Sequence, residues 1–220
     1  MKTNKIKLIA TNLALTALLI ALAGCVSKSY DKSADTSAAL QSSADAVAET
    51  SGNVNDVLAA LNNLTFKSEG DLRNQFDAFT SAINNLDKTS DKLDSKVAEM
   101  QAKASVYFDS WSNQLASIQS QELRSRSVAR KDEVTAKLAD VNASYQGVKN
   151  SLHPFMSDVK DIQTYLGTDL TTGGLATVKD IVAKTKVDAV PLRDSIKKLQ
   201  ASFSNLSAAL SPMMPSPDNK

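Results

Sequence analysis

Between Leu72 and Ile118 the chain repeats every seven residues. Leu72, Phe79, Leu86, Leu93, Met100, Tyr107 and Gln114 form one line, and Phe76, Ile83, Ser90, Val97, Ala104, Trp111 and Ile118 form the other. An apolar seam with this period lies along one side of an α-helix and buries itself only against another helix. At about 1.5 Å per residue the helix is roughly 70 Å long, well beyond an ordinary globular helix. A chain built on such a rod folds as a bundle or a coiled coil, and no alternation of period two offers a sheet in its place.

Three further seams supply partners. Leu40, Val47, Val54 and Leu61 mark the first, with Ala44, Ser51, Leu58 and Thr65 between them. Its small residues make it the weakest, and Gly52 within it costs about 1 kcal/mol relative to alanine. The third runs Val134, Leu138, Val141, Tyr145, Val148, Leu152, Phe155, Val159, Ile162, Leu166. The fourth runs Leu175, Val178, Val182, Thr185, Ala189, Leu192, Ile196, Leu199, Phe203, Leu206, Leu210, and Pro212, Pro215 and Pro217 end it.

The breaks carry end signals. Ser68 followed by Asp71 has the form of a capping box. Across the polar stretch 119–131 the heptad frame slips by one residue, so Ser120 reads as the N-cap of a new helix, with one continuous helix of about 95 residues as the alternative. Gly167 stands where a C′ glycine is expected, and Gly173-Gly174 reads as turn chemistry, since a phosphate loop would need a preceding strand, more glycines and a lysine.

The expectation is an all-α, elongated, antiparallel coiled-coil-like bundle of three to four long helices with left-handed supercoiling. The helices fall at about 35–64, 70–119, 121–166 and 173–211. With the first the shortest, one end should hold three helices.

The N-terminus reads as an export signal. Lys2, Lys5 and Lys7 precede a largely apolar run from Leu8 to Ala23, and that run of about 16 residues is short of the roughly 20 that span a bilayer. Leu22-Ala23-Gly24-Cys25 resembles the lipobox of bacterial lipoproteins. The resemblance implies cleavage after residue 24, acylation of Cys25 and anchoring by acyl chains, with 25–34 as a lipidated tether and 212–220 as a disordered tail. Val26 in place of aspartate implies, by the same resemblance, an outer-membrane lipoprotein facing the periplasm.

Cys25 is the only cysteine, so no internal disulfide forms and packing alone must hold the fold. Without residues 1–24 the chain keeps 22 basic and 24 acidic residues, and a net charge of −2 gives no reason to expect a nucleic-acid partner. Only 11 aromatics occur, which suits closely approaching helices.

Few residues offer chemistry. His153 is the only histidine, with no cysteine or second histidine near it, so neither a metal site nor a Ser-His-Asp arrangement is expected, and no cofactor. Tyr107 and Trp111 at seam positions read as core, with Phe108 flanking. Pro154 and Pro191 fall at outward positions and should bend their helices near a common level, as tolerated kinks or as a hinge. Arg124, Arg126, Arg130 and Lys131 form a basic patch beside the 120 turn, at the end of an up-down bundle that shares the lipid; the competing reading is a solvated face neutralised by Glu122, Asp132 and Glu133.

Several strings resemble an uncharacterised family of bacterial lipoprotein-type proteins, domain of unknown function 2959. They are Phe76-Asp77-Ala78-Phe79, Tyr107-Phe108 with Trp111, Ile118-Gln119 with Glu122-Leu123-Arg124, and the most distinctive, Asp161-Ile162-Gln163-Thr164-Tyr165-Leu166-Gly167-Thr168-Asp169-Leu170-Thr171. The resemblance implies helices and an envelope location, and no activity. The functional expectation is a non-enzymatic, lipid-anchored envelope protein that spaces or binds an envelope protein or cell-wall partner. A ligand-binding or chaperone-like helical cradle is the alternative.

Overall fold

The computed structural model describes the backbone of residues 4–66 and 71–210 and side chains from Asp31 onward. The chain forms α1 (Asn4–Phe66), α2 (Leu72–Leu115), α3 (Gln121–Thr168) and α4 (Thr172–Leu210), with no strand among the described residues. Side by side, α1 pairs most closely with α2 and α3 with α4. The two hairpins meet through looser α1–α4 and α2–α3 seams, and the backbones of the diagonal pairs stay apart across the shared core. This is the up-down-up-down bundle that short turns dictate.

Local chemistry sets the ends. Asp71 itself is the N-cap of α2, its carboxylate accepting from Arg73 N at 2.9 Å; Ser68 lies outside the described residues. α2 stops at Leu115, four residues before the expected end. Ser120 caps α3 by accepting from Leu123 N at 3.3 Å, so 116–120 is a turn and the continuous helix is excluded. α3 runs through Gly167 to Thr168, and Asp169, not a C′ glycine, ends it with its N–H on Tyr165 O at 3.0 Å. Gly174 starts α4 so close to the preceding loop that a Cβ would lie 2.0 Å from Asp169 O. Only glycine permits that turn.

The third and fourth seams are buried as the spacing predicts, Leu138 and Leu210 being half-buried. The second holds from Phe79 to Ala104 and then shifts by one residue: Phe108, Trp111 and Leu115 take the inward side, Tyr107 is half-buried and Gln114 exposed. A straight helix repeats every 3.6 residues, so a strict heptad drifts until one extra step restores contact.

The first seam differs more. Leu40, Val47, Val54 and Leu61 are buried, but their companions are Thr36, Ser43, Thr50, Val57 and Leu64 in place of Ala44, Ser51, Leu58 and Thr65. Thr36, Ser43 and Thr50 each sit between a carbonyl of their own helix, that of Lys32 at 2.8 Å, Ala39 at 2.9 Å and Ala46 at 2.8 Å, and one across the α1–α2 interface, that of Lys103 at 3.3 Å, Lys96 at 2.9 Å and Thr89 at 3.4 Å. The numbers of each facing pair total 139, which fixes one antiparallel register over two heptads. Short hydroxyl side chains let the two backbones approach where leucines would hold them apart, and each of these three buried hydroxyls has an acceptor.

The other hairpin repeats the device. Ser144 and Ser202 share a hydrogen bond at 2.9 Å and Ser151 and Ser195 one at 3.3 Å, both pairs totalling 346. One heptad further, Asp158 and Asp188 face each other and Lys184 Nζ donates to both, at 2.7 and 2.6 Å. That ammonium holds the Asp188 carboxyl below its usual range, and the two carboxylates hold Lys184 above its own.

Two expectations about length are corrected. α1 is helical from Asn4, through residues 25–34 that were expected as a tether, because that stretch contains neither proline nor glycine to stop it. The shortest helix is therefore α4, 39 residues ending at Leu210 opposite about residue 136 of α3. The first turns of α3 and the end of α2 project beyond it. Residues 212–220, expected as a tail, lie outside the described residues.

Candidate functional site

The looser seam between α2 and α3 opens into a surface groove of about 420 Å³. Leu152 and Met156 form its floor. At one end Asp94 receives the Tyr145 hydroxyl on one oxygen and Lys149 Nζ on the other at 2.9 Å; at the other end Lys160 Nζ reaches Asp87 at 2.9 Å. Burial first, and then the hydrogen bond to Asp94, push the Tyr145 hydroxyl well above its ordinary range, so it stays a donor. Ser90, His153 and Ser157 line the middle. Ser90, expected in the seam, is half-buried and contributes only a short side chain to this wall. A second groove of about 470 Å³ lies between α1 and α4, floored by Leu40, Ala44 and Phe203 and rimmed by Gln41, Gln200 and Ser204 without charge.

Neither groove assembles a nucleophile, a base and an orienting group. His153 is exposed on the rim. Among the described residues no group of three His, Cys, Asp or Glu side chains is placed to hold a metal ion. The α2–α3 groove combines an apolar floor with two flanking ion pairs, a lining suited to a small ligand.

The four cations of the expected patch are dispersed over the projecting end. Arg124 donates to Ile118 O and closes the turn, its Nε at 3.1 Å. Arg126 pairs with Glu122 at 2.6 Å, both largely exposed, and Arg130 pairs with Glu133 at 2.7 Å while also donating to Ala209 O. Lys131 reaches back to Ser112 Oγ at 2.8 Å. Beside them Trp111 Nε1 donates to Ser127 Oγ at 3.0 Å, and Phe108 stacks near the indole with centroids 6.5 Å apart. Exposed Leu123 and Val128 share this end.

Pro154 and Pro191 are both exposed, and the α3–α4 register puts them directly opposite, within about one residue of the same level. The side chain of Cys25 lies outside the described residues. No helix among the described residues is long and apolar enough to cross a membrane.

Sequence reasoning missed the hydroxyl seam of α1 and the grooves. The signal for the first was present, since Thr36, Ser43, Thr50, Val57 and Leu64 are seven apart. It was obscured because three of the five are polar.

Helix count, connectivity and heptad packing define an all-α, four-helix bundle protein. The chain belongs to the family described as "Protein of unknown function (DUF2959)", whose model matches residues 28–211. No curated protein and no solved structure matches it.

Proposed function

We propose that the protein is a lipoprotein of the bacterial envelope, anchored through acyl chains on Cys25, whose bundle spaces or holds another envelope protein or a cell-wall partner without catalysis. The observation that carries this reading is Leu22-Ala23-Gly24-Cys25 behind a cationic and then apolar leader. The antiparallel register supports it, because α1 runs back toward the 116–120 turn, so anchor and basic end share one end of the rod. Anionic headgroups would there meet Arg124, Arg126, Arg130 and Lys131, each contributing about 1 kcal/mol once Arg126 and Arg130 exchange Glu122 and Glu133 for them. The proposed address is the outer membrane, facing the periplasm.

Acyl labelling of the full chain and its Cys25→Ala variant tests the anchor. Label on the native chain alone is expected, with the variant keeping its leader; a native chain that takes no label, or a variant labelled as strongly as the native chain, would refute the lipid anchor.

The α2–α3 groove favours a second reading, a ligand-binding cradle. A panel of envelope metabolites should then raise the melting midpoint of the native chain and leave that of Met156→Trp, whose ring fills the groove, unmoved.

A further inference from the structure

The outer side of α4 is apolar where a solvated helix face is normally polar. Val187 is 68% and Val190 53% exposed, and Ala183 and Pro191 beside them are exposed as well. At 100° per residue these four project along one stripe, and the same stripe continues into Asp180 and Lys184 before the patch and Asp194 and Lys198 after it. All four charged residues are exposed. Along the helix the order is acid, base, apolar centre, acid, base.

That order is self-complementary only when one copy is reversed. About a centre at residue 189, an antiparallel second helix sets Asp180 against Lys198 and Lys184 against Asp194, with Val187 against Pro191. A parallel, in-register copy sets each charge against itself. We infer that this face of α4 is a docking surface for a second copy of the same chain, related by a two-fold axis that crosses the helix near Ala189.

Several features of this face fit that occupant. A two-fold interface uses one patch twice, and this patch carries both members of each charge pair. Asp180 and Lys198 make no ion pair with a described residue of their own chain. Lys184 already donates to Asp158 and Asp188, which leaves its third N–H for Asp194 of the other copy, a carboxylate that in its own chain meets Lys197 Nζ at 3.8 Å. The inference is independent of the lipid anchor.

The test is the mass of the full chain in detergent micelles by density-matched sedimentation over a wide concentration range, with charge-reversal variants. The native chain should associate to dimers. Asp180→Lys and Lys198→Asp should each weaken association by about tenfold or more, since each places like charges together. Mixed, the two variants restore both pairs, and a mixed dimer should form with near-native affinity; the double variant should also self-associate. Val187→Asp should abolish association while leaving the helical circular dichroism intact. A native chain that stays monomeric, reversals that leave association unchanged, or a mixture that fails to recover would each overturn the inference.

Discussion

At the scale of single residues, two glycines on helices have opposite roles. At Gly174 a Cβ would lie 2.0 Å from Asp169 O, whereas at Gly52 nothing lies within 4 Å. Gly174→Ala must move the loop or unwind the first turn of α4 and should cost about 2 kcal/mol or more. Gly52→Ala should stabilise by about 0.5–1 kcal/mol through helix propensity. Urea unfolding midpoints of the two variants check both signs. The Asp158–Lys184–Asp188 cluster predicts a pH effect. Asp188 is depressed chiefly by its hydrogen bond from Lys184, so in the acid range the unfolded chain binds more protons than the folded one. Its contribution is therefore present above the ordinary carboxylate range and lost as pH falls through the folded value. Lys184→Met leaves two facing carboxylates, which should invert that part of the profile and make the variant gain stability on mild acidification. Thermal midpoints from pH 7 to pH 4 on both chains would reveal a parallel profile if the cluster contributes nothing.

At the scale of the helices, Pro154 and Pro191 weaken both members of the α3–α4 hairpin at one level. Each removes a backbone hydrogen bond, to Asn150 and Val187, and restoring them by Pro154→Ala or Pro191→Ala should raise unfolding free energy by about 1–3 kcal/mol apiece. Unchanged midpoints would mean that the bends store no cost. How far each helix was legible depends on what occupies its seam. α3 and α4 use leucine, valine, isoleucine and phenylalanine, so their buried faces follow directly from spacing. α1 buries Thr36, Ser43 and Thr50, whose affinity for the interface comes from hydrogen bonds to a neighbouring backbone that a single sequence does not display. Near Tyr107 the error was geometric, because a frame held at seven residues runs one position behind a helix turning every 3.6. The basic patch was legible as a cluster of residues. Its neutralisation by Glu122 and Glu133, one helical turn away on α3, was legible too, whereas its contacts with the carbonyls of Ile118 and Ala209 depended on where α2 and α4 end. The α2–α3 groove depended on the looser packing of those two helices, which their seam residues do not display.

At the scale of the whole molecule, helices of 44, 48 and 39 residues side by side make a rod about 60–70 Å long. Small-angle scattering of the full chain in contrast-matched detergent should give an elongated distance distribution; a compact profile would contradict the bundle. On the lipid-anchored reading proposed above, the inferred α4 pairing has a geometric consequence. Two reversed copies place their N-terminal ends at opposite poles, so a dimer either lies flat on one membrane or stands between two surfaces. The hydroxyl rungs between α1 and α2 then acquire a mechanical meaning. Tension applied to α1 along its axis loads the rungs at Thr36, Ser43 and Thr50 in shear, all at once, whereas a sideways pull would open them singly. Because those rungs recur every seven residues, α1 cannot creep along α2. It must hold, or jump a full repeat of about 10 Å to the next register, as a ratchet does.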